Sequence, residues 1–236
     1  VTLTTLGYAF LGGLLPSLVW LYFLLKEDAA HPEPKSLIAL AFVAGMLAVP
    51  IALPLEQWTR SVLNLAKADG SVVLIWALIE EMLKYAMAAA LILWRNAVDE
   101  APDYVIYLLT VALGFAAAEN ALFLLAPLVD GNIATTVFTG DIRFLGSTLL
   151  HVLSSASIGF ALAFSSRAAP AIRVAAAALG LILAVALHTT FNALIISQGA
   201  STTLTAFFLV WTVAVAFFAA FEVLKYFQYR SSPNPY

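Results

Sequence analysis

Apolar residues run along this chain in blocks of about twenty, parted by short polar stretches. Within the blocks there is none of the strict alternation that marks a half-buried strand. A transmembrane helix needs about 20 apolar residues, and seven stretches meet that requirement, near 4–25, 36–55, 71–94, 104–127, 141–165, 171–197 and 202–225. The pattern predicts an all-α fold: a polytopic transmembrane helix bundle of about seven spans, forming a single domain over residues 1–236. A β-barrel would show shorter, alternating segments. Pro50 and Pro54 near the end of the second span predict a kink or break there. Beyond it, Trp58, Val62, Leu65 and Ala66 fall at helical spacing, so Glu56–Gly70 reads either as a short interfacial helix or as an ordinary loop.

Composition strengthens this picture. Of 236 residues, 63% are hydrophobic and only 11% charged, with a mean hydropathy of +0.97, far from what a soluble domain of this length needs. A net charge of −3 without a basic patch argues against a nucleic-acid partner. The absence of cysteine excludes disulfides, thiolate zinc sites and thiol catalysis. The first apolar run lacks a basic leader and a small-residue cleavage site, and is expected to be a retained helix. Lys26, Lys35, Arg95, Arg167, Arg173, Lys225 and Arg230 all fall on one side of the expected membrane. Only Arg60 and Lys67 fall on the other, with Arg143 just inside the fifth helix, so the N-terminus is expected outside and the C-terminus inside.

Against that background the ionisable residues inside the spans stand out, because charge in the bilayer is expensive and usually marks function. Glu80 and Glu81 lie on the third predicted helix, Glu119 on the fourth, His151 on the fifth and His188 on the sixth. Counted from the outer ends of their helices, all lie roughly 12–17 Å below the outer surface at about 1.5 Å per residue. Four helices therefore bring titratable groups to one depth. Each group alone has a structural explanation. Glu80 and Lys84 are spaced as an i,i+4 ion pair, and a lone membrane histidine often joins helices by a hydrogen bond. Glu119 has no cation within a turn on its own helix and needs a partner from elsewhere. Together the groups suit activation of water. A carboxylate can take a proton while an acid or imidazole polarises a carbonyl, or two histidines and one or two glutamates can hold a divalent metal. Zinc suits that mixed set, but no HExxH signature is present, and both schemes stay open.

At these residues the chain resembles the PrsW family of intramembrane proteases, within the wider superfamily that includes CAAX-prenyl and bacteriocin-processing proteases. The resemblance rests on Glu80-Glu81-Met82-Leu83-Lys84 as EExxK and Phe115 to Glu119-Asn120 as FxxxEN. Arg143 and His151 on the next helix and His188 to Asn192 as HxxxN complete it. The order and spacing agree over about 76–195, and a catalytic core over about 71–197 is expected. The resemblance implies proteolysis of a membrane-anchored substrate near its extracytoplasmic side, with an anti-sigma-factor-like protein as partner and the bacterial inner membrane as location. Glu80 and Glu81 would activate water, and His188 and Asn192 would bind the carbonyl or oxyanion. His151 would be a further ligand or acid–base group, with Lys84, Asn120 and Arg143 in support. A metal, if bound, would draw on Glu80, Glu119, His151 and His188. Glu119 stands where CAAX-type relatives carry histidine, and the run Ser154-Ser155-Ala156-Ser157 is richer in serine than the family pattern. Those serines read as close-packing residues. A non-catalytic scaffold of the same fold and a small proton-coupled transporter are the competing readings. The transporter would be expected to show inverted repeats, and none is visible.

Overall fold

A computed structural model describes residues 1–27, 31–63, 70–197 and 199–231. Among them the structure is helical throughout: α1 (Leu3–Glu27), α2 (Lys35–Leu63), α3 (Gly70–Leu91), α4 (Ala101–Val129), α5 (Ile133–Ile142), α6 (Thr148–Ser165), α7 (Pro170–Ile196) and α8 (Ala200–Ser231). A π-helical turn, Arg143–Ser147, joins α5 to α6 without a break, so the two form one 33-residue rod. Six segments are long and apolar enough to cross a membrane: α1, α2, α4, the α5–α6 rod, α7 and α8. Helix α3 has 22 residues, but Glu80, Glu81 and Lys84 sit together in its middle and dilute its apolarity.

The packing explains why α4 is so apolar. It lies at the centre with α1, α2 and α6 around it, and nearly every side chain from Pro102 to Ala117 is buried. A helix that is apolar all round belongs inside a bundle. Small residues let its neighbours approach closely. At the α2–α4 crossing a Cβ on Gly45 would strike the Val111 carbonyl, and one on Gly114 would strike that of Phe42. Across α6 and α7, a Cβ on Gly180 would lie 2.7 Å from the Ile158 Cα, so the serine-rich face of α6 is a place of tight helix contact.

Two expectations meet a different local structure. Helix α2 continues through Pro50 and Pro54 to Leu63, so residues 56–63 are its last two turns and neither a loop nor a separate helix. Proline inside a spanning helix is tolerated where neighbouring helices and local adjustment satisfy the freed carbonyls. The remainder of that stretch, 64–69, lies outside the described residues. The fifth predicted span begins at 141, whereas its rod begins at Ile133, where the Asn132 side chain caps α5 by accepting from the Thr135 amide at 3.0 Å.

Candidate active site

Adjacent residues on a helix point about 100° apart, so Glu80 and Glu81 reach different partners. Glu81 is fully buried and saturated. Its Oε1 accepts from Lys84 Nζ at 2.6 Å and lies 2.7 Å from His188 Nδ1, while Ser155 Oγ approaches Oε2 at 3.4 Å. Glu80 turns the other way. Its Oε2 faces His188 Nε2 at 3.7 Å and His151 Nδ1 at 3.9 Å, and is buried with no hydrogen-bond partner among the described residues. Lys84, itself fully buried, also reaches His151 Nδ1 at 3.2 Å and lies 4.8 Å from the centre of the Phe115 ring.

The other half of the cluster comes from α4 and the π turn. A π turn carries more residues per turn than the α-helix and so shifts the face presented by the chain before it. Here the Thr148 amide bonds back to the Arg143 carbonyl. The Arg143 guanidinium donates to Glu119 through Nη2 and to Asn120 Oδ1 through Nε at 2.6 Å, and it lies 3.9 Å from the centre of the Phe123 ring. Asn120 Nδ2 in turn donates to Thr148 Oγ1 at 2.9 Å. Glu119 Oε2 contacts His151 Nε2 at 2.9 Å. The two imidazoles meet edge to face with centroids 5.1 Å apart.

The structure thus joins Glu80, Glu81, Lys84, Glu119, Asn120, Arg143, His151 and His188 in one network. Asn192, one turn beyond His188 on α7, is half-buried and makes no side-chain hydrogen bond among the described residues. Glu56 was missed by the sequence reading. It is half-buried on α2, within electrostatic reach of Glu119 and Glu80, and its carbonyl accepts from Trp76 Nε1 on α3 at 3.2 Å. The helical spacing of Trp58 and Val62 was the signal that α2 runs on and carries Glu56 with it. Thr148 was missed as well.

Glu80, His151 and His188 each offer one ligand atom, all within 4.8 Å of one another. With metal–ligand bonds of about 2.0–2.2 Å, tetrahedral ligand atoms stand about 3.3–3.6 Å apart, so a small contraction would fit a divalent ion. The unpartnered Glu80 Oε2 is the atom such an ion would satisfy. Glu119 lies on the far side of the His151 ring from this cluster. A separate cleft of about 240 Å³ between α1, α4, α6 and α8 is lined by Trp20, Leu113, Val152 and other apolar side chains, with Glu27 as its one ionisable residue, and offers no comparable cluster.

Fold and site together define an integral membrane helix bundle with a buried carboxylate–imidazole centre. The model of the PrsW family of intramembrane metalloproteases matches residues 33–221, and the chain belongs to that family. It is similar to Protease PrsW of Geobacillus kaustophilus (strain HTA426), at 29% identity over 148 residues. That match spans 63% of this chain and 62% of the length of that protein. No solved structure matches.

Proposed function

We propose that this protein is an intramembrane endopeptidase that hydrolyses a peptide bond of a membrane-anchored protein near its extracytoplasmic side. The observation that carries the reading is the buried, unpartnered Glu80 Oε2, set 3.7 and 3.9 Å from two imidazole nitrogens inside a membrane bundle. A carboxylate buried without a hydrogen bond is unfavourable unless it has work to do. Glu80 is the general base: it takes a proton from water as the water oxygen attacks the scissile carbonyl carbon, then returns it to the departing amine. His151 and His188 face the same space and hold water or carbonyl in place. Asn192, with its amide free and one turn from His188, is positioned along α7 to donate to the developing oxyanion. The Glu81–Lys84 pair anchors His188. In the alternative scheme, with a divalent metal bound, Glu80, His151 and His188 would hold it, Glu80 then serving as ligand and not as base, and the metal would supply Lewis acidity toward water and carbonyl.

The site belongs to the outer half of the membrane if the N-terminus is outside, as the lysine and arginine distribution favours. In that orientation all seven long helical segments cross, α3 included, and residues 71–197 form the catalytic core of a single domain. A bacterial inner membrane and an anti-sigma-factor-like substrate follow by analogy with the family.

The test is mapping of protein N-termini in membranes from cells producing wild-type protein or Glu80→Gln. New termini in or just outside a membrane segment, present only with the wild type, are expected, and they would name the substrate. Identical maps at matched expression would sink the protease reading and leave a non-catalytic scaffold. For the metal, loss of cleavage on chelation and its return with zinc separate the two schemes.

A further inference from the structure

The two histidines of the cluster are held differently, and the donors around them decide where each proton sits. Lys84 carries only donors, so at 3.2 Å from His151 Nδ1 it requires a bare nitrogen there. The proton of a neutral His151 ring is then on Nε2, which faces Glu119 Oε2 at 2.9 Å. Arg143, also a pure donor, fixes Glu119 as the acceptor of that proton. For His188 the logic runs the other way round the ring. Its Nδ1 lies 2.7 Å from Glu81 Oε1, an oxygen already receiving Lys84 at 2.6 Å, so Nδ1 carries the hydrogen. The bare Nε2 then faces Glu80.

We infer that Glu119, together with Lys84, and Glu81 are positioning residues that lock the two imidazoles in opposite tautomers, so that the bare nitrogens, Nδ1 of His151 and Nε2 of His188, are the ones on the side of Glu80. The inference deepens, and rests on, the reading of Glu80, His151 and His188 as the reactive cluster. It assigns Glu119 away from that cluster, to a relay running Arg143–Glu119–His151. A carboxylate behind each ring fixes orientation and raises the basicity of the opposite nitrogen, the usual arrangement behind a ligating histidine.

Tautomers are read directly from long-range proton–nitrogen correlation spectra of ¹⁵N-histidine-labelled protein. The sample is the detergent-solubilised full chain, metal-free, carrying His31→Gln so that only the two rings of interest remain. One ring protonated on Nε2 and one on Nδ1 is the expected result. Two rings in the same tautomer, or a ring averaging between both, overturns the inference. Zinc chloride added alone should shift Nδ1 of His151, with the Lys84 ammonium displaced from that lone pair, and Nε2 of His188; coordination through the other nitrogen of either ring also overturns it. Glu119→Leu leaves Lys84 holding Nδ1 bare but takes away the acceptor of the Nε2 proton, so it should shift the Nε2–H resonance of His151 and leave His188 unchanged. Glu119→Gln should weaken zinc binding about 10- to 100-fold. If either variant fails to fold, the wild-type spectrum still decides. The functional reading fails separately: cleavage undiminished in Glu80→Gln would remove it while leaving the tautomers as measured.

Discussion

A lysine with no exposed surface must find enough partners to offset the loss of water, and Lys84 finds Glu81 at 2.6 Å, His151 Nδ1 at 3.2 Å and the Phe115 ring. Removing one partner of a buried ion pair strands the other. Lys84→Met is therefore expected to destabilise the bundle by about 3–5 kcal/mol, read as a lower melting temperature in detergent. Ser155 is a weaker member. Its contact with Glu81 is long at 3.4 Å, and Glu81 keeps two short ones without it. Ser155→Ala is expected to keep cleavage within about threefold of wild type, because a marginal neutral hydrogen bond contributes little. A larger fall in a folded variant would give that hydroxyl a part in the chemistry. At this scale the sequence reading went far. The depth of Glu80, Glu119, His151 and His188 follows from counting residues along their helices, and they do meet. Which of two adjacent glutamates lies between the two imidazoles turns on about 100° of helix rotation, and that depends on what α6 and α7 place opposite them.

Between elements, contact distance is set by what is missing from the side chains. Gly45 and Gly114 let α2 and α4 touch backbone to backbone, so Gly45→Val is expected to drive the helices apart and lower thermal stability. Gly7→Val, with nothing within 4 Å of the added carbon, should leave it unchanged. The π turn is the second device. Its wide turn takes up one residue more than an α-helical turn, so deleting Leu145, which is exposed, should leave a continuous α-helix whose flanking segments keep their facing in a packed bundle, as gel filtration and helicity by circular dichroism would show. The π turn was not legible in the sequence, and the run of α2 past Pro54 showed only as the helical spacing of Trp58 and Val62. A π turn has no fixed composition, and proline marks a break in water far more reliably than in a bundle where neighbours satisfy the freed carbonyls.

For the molecule as a whole, the orientation is open to a simple check because the chain has no cysteine. Single cysteines placed at Thr135 near the start of α5 and at Arg167 between α6 and α7 should respond oppositely to a membrane-impermeant maleimide in intact cells. Labelling at 135 and not at 167 is expected; the reverse would invert the topology and move the site to the inner half. The hairpin at Asp130–Asn132 bears on how the protein is made. Glu119 and Arg143 are 24 residues apart, on consecutive rods joined by a three-residue turn that Gly131 opens with a φ of 69°. During synthesis they reach the bilayer almost together, well before His188 has left the ribosome. The carboxylate is thus neutralised as it enters lipid, and the arginine that later holds the glutamate against His151 first serves as the escort that lets an acid into the membrane.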